Sequence, residues 1–349
     1  MSEAMRMRDR EARRGAVQAG PDAPGKGRGG RAGSGRIAII DIARGIALVA
    51  MASYHLSFDL SFYGFVSWPV TTGAEWVAYA RSIAATFLML SGFSLVLMTR
   101  RGIVPAKIAR RVAVVGGAAV LVSLGTWAVV PDDVVRFGIL HCIAVTTVLG
   151  LAFVRLPPLA TLAAAVVVFA IPQFARTPAL DSVWLVWLGL AADPPSSMDY
   201  VPLLPWFSAV LVGIAAGRFA LDRDLLRGLA RIEPRSRLLR ALGFAGRHSL
   251  PVYLIHQPVF FALIELSLLF GATPAVRVSD YRSSCMESCT ATGTGEASCT
   301  TYCGCTADGF GRADLWSNLA AARPGSSEQS LVDAIVRECR MRALVPPGQ

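Results

Sequence analysis

Apolar positions in this chain come in long unbroken blocks, not in the alternation of strands or the one-sided stripe of a soluble helix. Seven blocks stand out: from about Ile37 to Phe62, Glu75 to Met98, Ile108 to Val130, Arg136 to Phe153, from the Pro157-Pro158 pair to near Ile171, Leu203 to Ala220, and Ser249 to Gly271. A helix needs roughly 20 apolar residues to cross the hydrocarbon of a bilayer, and a helix keeps its backbone hydrogen bonds within itself. The pattern therefore predicts an all-α integral membrane protein, a bundle of about seven transmembrane helices. The piece Ser182 to Ala192 is apolar but too short to cross; with Trp184 and Trp187 it is expected to lie at the interface or to re-enter it. The blocks divide the chain into a polar tail (1–35), a transmembrane region (36–271) and a cysteine-rich segment (272–349).

Composition agrees, with 54% hydrophobic and only 17% charged residues, far from the balance of a soluble domain. The formal charge of +10 would suit nucleic acid if the cations formed one patch. Instead they fill alternate gaps, so no nucleic-acid partner is expected. Residues 1–36 carry nine basic and four acidic side chains, Arg100 to Arg111 five and none, and Arg218 to Arg247 eight and three. By the positive-inside rule these segments face the cytoplasm. The gaps bearing Asp59, Glu75, Asp132, Asp133, Asp181, Asp193 and Asp199 face outward. No apolar centre precedes Ile37, so no cleavable signal peptide is expected and the first span directs insertion. The tail before it reads as solvated and disordered, an orienting charge cluster near anionic lipid heads.

Seven crossings from a cytoplasmic N-terminus put the C-terminal segment on the extracytoplasmic side. Cysteine usage fits: Cys142 stands alone inside the fourth block, while Cys285, Cys289, Cys299, Cys303, Cys305 and Cys339 share the C-terminal segment. An even number on an oxidising side favours disulfides. The two i, i+4 pairs place each pair on one helix face, so two short helices clasped by two bridges form a plausible hairpin. Six cysteines allow fifteen connectivities. Zinc is the competing reading, but the segment has no histidine and no metal is expected.

Ionisable groups inside spans are costly and mark a site by default. Asp41 and Arg44 are three apart on one face of the first helix and can pair, either as a structural ion pair or as part of a positive socket for a phosphate-bearing donor. His55 lies about 16 Å deeper at 1.5 Å per residue, with Asp59 one turn on, where a carboxylate orients an imidazole for general-base work. The alternative is a histidine satisfied by a backbone carbonyl or a headgroup. His141 opens the fourth span at a comparable depth, His256 and Gln257 lie in the seventh before Pro258, and Arg81 lies in the second. An interior polar site is expected where these converge. The run from Asp199 and Tyr200 to Trp206 reads as an interfacial turn with one carboxylate at the outer mouth. Ser249 and Pro251 read as the capped start of the last span.

Taken in order, Asp41-Ile42-Ala43-Arg44-Gly45, Tyr54-His55, Phe87-Leu88-Met89-Leu90-Ser91-Gly92-Phe93-Ser94, Phe137-Gly138-Ile139-Leu140-His141, Asp199-Tyr200-Val201-Pro202-Leu203-Leu204-Pro205-Trp206 and His248-Ser249-Leu250-Pro251-Val252-Tyr253-Leu254-Ile255-His256-Gln257-Pro258 resemble the bacterial membrane proteins similar to the catalytic domain of heparan-alpha-glucosaminide N-acetyltransferase. The resemblance spans about residues 36 to 271. It implies a bacterial inner-membrane helical bundle that moves an acyl group from cytoplasmic acetyl-CoA or another acyl-CoA to an envelope glycan, lipid or amine, with no permanently bound cofactor. Arg44, with Asp41 and Arg81, would lie toward the donor. His55 or His141, with Asp59 and His256, would deprotonate the acceptor or carry the acyl group, and Asp199, Tyr200, Trp206 and Gln257 would border the acceptor. One departure stands out: the animal enzyme's proposed active histidine lies in the outer loop after the first span, and Phe65 to Ala80 here has none. An oligomer is compatible with the pattern. A small-solute carrier, and a scaffold presenting the cysteine-rich tail, are the competing functions.

Overall fold

The first apolar block becomes one continuous helix, α1, Ala38–Phe62, because nothing in it breaks a helix: its glycine is single and it has no proline. The computed structural model describes residues 37–66, 68–194, 196–232, 234–270, 278–313, 315–316 and 326–344, and the expected disordered tail of residues 1–35 lies outside them. Beyond α1 follow α2 (Ala74–Thr99), α3 (Pro105–Val129), α4 (Ile139–Gly150), α5 (Pro158–Phe174), α6 (Leu203–Asp222), α7 (Leu225–Ala230), α8 (Arg237–Arg247), α9 (Ser249–Leu269), and then α10 (Val278–Ala291), α11 (Glu296–Arg312) and α12 (Ser327–Leu344). No strand forms among the described residues; two isolated bridges, Phe137 with Tyr200 and Thr177 with Ala191, are the only extended pairings.

The fold is an all-α integral membrane bundle. Helices α1, α2, α3, α6 and α9 are long and apolar enough to cross a bilayer, and α4 and α5 are shorter apolar helices. The fourth block was expected to run from Arg136 to Phe153. Its helix contracts to 12 residues, about 18 Å. At its start Val201 N donates to Phe137 O at 3.0 Å, which holds that residue extended; at its end residues 151–156 wind through successive turns before Pro157.

Helix α6 occupies the centre, packed on α2, α5 and α4. Its Val210, Leu211 and Ile214 are buried with Leu88, Leu95 and Val96 of α2, Cys142 of α4 and Ala165 of α5. Two glycines allow the closest of these approaches. A Cβ on Gly92 would run into the Val210 carbonyl, and one on Gly213 into the Met89 carbonyl, the small-residue contact by which membrane helices associate. The outer faces of α3 and α5 present Val114, Leu121, Trp127, Val166 and Phe174 openly. Such a surface fits hydrocarbon as its solvent and would not fit water.

Helix α8 was not expected. It is amphipathic, starts where Ser236 Oγ accepts from Leu239 N at 3.1 Å, and packs along α1. Gly246 lies against the Asp41 carbonyl and Gly45 against that of Leu242. The last span begins one residue beyond α8, with His248 at its cap and no side-chain capping bond, so Ser249 is not the cap expected of it. In the loop before α6, Trp184 is 86% exposed, as an interfacial residue would be. Trp187 instead turns inward, its ring 6.2 Å from that of Phe137.

Helices α10, α11 and α12 pack on one another. Disulfides join Cys285 to Cys303, Cys289 to Cys299 and Cys305 to Cys339, around a small core of Tyr281, Phe310 and Trp316. The first two bridges form the expected clasped hairpin, and the third fastens α12 to it. With every cysteine of the segment paired, the zinc reading loses its ligands.

Candidate functional site

Asp41 is in the first turn of α1 and is 7% exposed. A carboxylate so placed needs cations, and two arrive: Arg44 Nη1 donates to Asp41 Oδ1 at 3.2 Å, and Arg247 Nε of α8 lies 3.9 Å from Oδ2. The expected Asp41–Arg44 pair therefore forms. Arg44 also donates through Nη2 to Ser94 Oγ of α2, so its guanidinium is stretched between two helices.

A cavity of about 200 Å³ opens beside it, lined by Arg44, Ser91, Arg111, Ile139, Ser249 and Tyr253 among others. Arg111 of α3 donates through Nη2 to Ser91 Oγ at 2.7 Å. Two guanidiniums from different spans thus share one wall, each steadied by a serine of the Ser91-Gly92-Phe93-Ser94 run. Sequence reading missed Arg111, counting it only as the end of a basic gap. The signal was present, since Arg111 lies inside the third apolar block, past Ile108. Arg81, by contrast, is exposed and does not line the cavity. It precedes Ser94 by thirteen residues, about 20 Å along the same helix.

Tyr253, also missed, connects the cavity to the imidazoles. Its ring centroid lies 5.7 Å from that of His256, and its carbonyl is 2.5 Å from His256 Nδ1. A carbonyl only accepts, so Nδ1 carries the proton and, in the neutral ring, Nε2 holds the lone pair. That Nε2 is buried with no hydrogen-bond partner among the described residues. The His55 ring faces it with centroids 5.0 Å apart.

One turn on from His55, Asp59 is fully buried and accepts from Gln257 Nε2 at 2.8 Å. Its second oxygen, Oδ2, and the Gln257 carbonyl Oε1 are buried and unpartnered among the described residues. Tyr63 donates to Glu265 Oε1 at 3.0 Å further along. The ascending register of His55 with His256, Asp59 with Gln257, and Tyr63 with Glu265 means that α1 and α9 run parallel. The cluster so built has three atoms that are buried and unpartnered among the described residues, and all three are acceptors.

The remaining expected residues do other work. His141 accepts from Gly138 N through Nδ1 at 3.2 Å and lies 3.5 Å from Ser123 Oγ through Nε2. It closes the first turn of α4, and no ring contact joins it to the His55–His256 pair. Asp199 does not point into an outer mouth: its Oδ2 accepts from Ile139 N at 2.9 Å and caps α4 from outside that helix. Tyr200 donates to the Val186 carbonyl at 2.7 Å, holding the loop before α6. Trp206 packs against the main core. Several residues of the resembling segments serve to position the short helix α4, whose Ile139 lines the cavity.

No curated protein and no solved structure matches this chain. A family model does, over residues 36–258, a stretch that includes every residue of the Arg44–Arg111 cavity and of the His55–His256 cluster. Bundle, motifs and matched length agree, and the chain belongs to the family described as heparan-alpha-glucosaminide N-acetyltransferase, catalytic.

Proposed function

We propose that this protein moves an acetyl or other acyl group from cytoplasmic acyl-CoA to an amine or hydroxyl of an envelope glycan, lipid or small amine. The observation that carries the reading is adjacency: Tyr253 lines the same cavity as the two arginines and touches a buried imidazole whose free nitrogen is an acceptor. Guanidiniums suit donor phosphates, since planar N–H groups pair with phosphate oxygens. An unpartnered buried acceptor is costly, so His256 Nε2, Asp59 Oδ2 and Gln257 Oε1 together call for a ligand rich in O–H or N–H. An acyl acceptor is such a ligand.

In the transfer, the acceptor nitrogen or oxygen attacks the thioester carbonyl carbon and gives its proton to His256 Nε2. The carbon–sulfur bond then breaks, the thiolate leaves, and the proton from the imidazole ends on the thiol or in water. His55 holds the ring opposite, and Asp59 with Gln257 orients the acceptor. The parallel course of the first and last spans supports an odd number of crossings. The basic gaps then favour a cytoplasmic N-terminus and an extracytoplasmic C-terminus in a bacterial inner membrane.

The test uses protein purified into liposomes with labelled acetyl-CoA on the basic-gap side and an envelope extract on the other. Label moved to an amine- or hydroxyl-bearing component, and lost in His256→Gln, is the expected result. Folded protein that neither transfers label nor binds CoA would overturn the reading in favour of a carrier.

A further inference from the structure

A second cavity, of about 210 Å³, shares no residue with the first and is lined by Thr99 and Arg100 at the end of α2, Arg155 in the turns after α4, and Arg218 and Leu221 near the end of α6. Along α2 the nearest lining residues of the two cavities, Ser91 and Val96, are five residues apart, about 7.5 Å. Three guanidiniums reach this cavity from three segments. Arg218 Nη2 donates to Asp222 Oδ1 at 3.3 Å, and that carboxylate is half exposed. Arg100 and Arg155 have no hydrogen-bond or ion-pair partner among the described residues. Arg218 Nε is buried without a hydrogen-bond partner there.

Net charge around the opening is therefore about +2 by formal count. A helix C-terminus attracts a cation, which explains Arg100 alone. The positive-inside rule accounts for cations on this face of the bundle, but not for three of them from three segments meeting at one opening, where an anion between them would relieve their repulsion. The geometry points to a phosphate-binding site formed by Arg100, Arg155 and Arg218, distinct from the Arg44–Arg111 cavity. Three forked donors around a pocket match the several oxygens of a phosphate better than a single carboxylate. The helix ends place it at headgroup depth of the bundle, so the phosphate belongs either to an anionic phospholipid or to a soluble phosphate. The proposal does not rest on the transferase reading, because neither histidines nor transfer enter into it.

The experiment uses the full chain in phosphatidylcholine nanodiscs. One arm adds phosphatidylglycerol to the disc, the other adds inorganic phosphate to the buffer, and thermal unfolding is read in each. The unfolding midpoint is expected to rise in at least one arm, and the arm that responds names the source. Arg155→Gln and Arg218→Gln should each weaken the apparent affinity, read from the probe concentration at which the midpoint begins to rise, at least about tenfold, the size of one lost charge-assisted hydrogen bond. Arg110→Gln, an exposed cation lining neither cavity, should leave it unchanged. Because Arg155 contacts no described partner, its variant decides the matter even if Arg218→Gln fails to fold. No midpoint shift with either probe, or a shift as large in Arg155→Gln as in the unaltered protein, overturns the site.

Discussion

His55 and His256 pack with ring centroids 5.0 Å apart and planes tilted by 59°, on two spans that run in the same direction. The next turn ties Asp59 to Gln257 at 2.8 Å, so the two spans are fixed to each other beside both rings. Substitutions at His55 and His256 should therefore behave as one lesion. His55→Gln and His256→Gln are each expected to cut acyl transfer by about a hundredfold or more, the usual worth of a general base, and the double variant should fall little further. Rates for the four proteins in liposomes check this; additive losses would separate the two rings.

Donor recognition should follow the arginines that share the cavity. Arg111→Gln is expected to raise the donor KM about tenfold, as one charge-assisted contact would, with a smaller change in kcat. Arg81→Gln, on an exposed position of α2, should alter neither. Initial rates against acyl-CoA concentration distinguish them.

The crossing of α2 and α6 should tolerate no added methyl. Gly92→Ala and Gly213→Ala each force a Cβ onto a facing carbonyl, and overpacking of that kind costs about 1–3 kcal/mol. Thermal unfolding in detergent should drop for both. Gly116→Ala, at a position open to space, is expected to be neutral or slightly stabilising.

The three disulfides give the C-terminal segment a definite peptide map. Digestion without reductant should yield linked peptides for Cys285–Cys303, Cys289–Cys299 and Cys305–Cys339. Removing the last bridge, which spans 34 residues, should destabilise the segment by about 3–4 kcal/mol on the chain-entropy estimate. If the segment is extracytoplasmic, a membrane-impermeant maleimide added to intact spheroplasts after mild reduction should label it. Labelling only after lysis would reverse the topology.

Tyr281 of α10 adds a pH dependence outside the bundle. Burial raises its phenol pKa above the usual value, while its hydroxyl donates to Thr306 Oγ1 at 2.8 Å. The folded segment then holds this proton at a pH where the unfolded chain has released it. Stability is unaffected well below about pH 10 and declines as pH rises past that value. Tyr281→Phe should remove the slope while lowering stability at neutral pH by about 1 kcal/mol through the lost hydrogen bond. Chemical denaturation at pH 7 and at pH 11 tests both effects.

Much of this architecture was legible in the chain alone. Apolar blocks of bilayer length can satisfy their backbone only as helices, so the bundle and the five long spans follow from composition and spacing. The Asp41–Arg44 pair follows from three-residue spacing on one helix, and the clasped hairpin from two i, i+4 cysteine pairs. That His55 meets His256 needed only the rule that polar groups in hydrocarbon must meet one another, whereas Asp59, expected to orient the His55 ring, accepts from Gln257 instead.

What the sequence did not determine is which polar groups meet. Arg81 and Arg111 look alike in a sequence, each a cation inside an apolar block. Only the rotation and depth of α2 and α3 against α1 put Arg111 beside Arg44 and leave Arg81 outside. His141 and His256 likewise look equivalent. His141 closes the turn of its own short helix, whereas the Tyr253 carbonyl occupies only one nitrogen of His256 and leaves the other buried without a partner among the described residues. Local periodicity is a property of neighbouring residues and is written in the chain. Convergence of side chains from α1, α3 and α9 depends on helix packing, which is set by contacts between residues that are distant in sequence, such as Gly92 with Val210 and Gly213 with Met89.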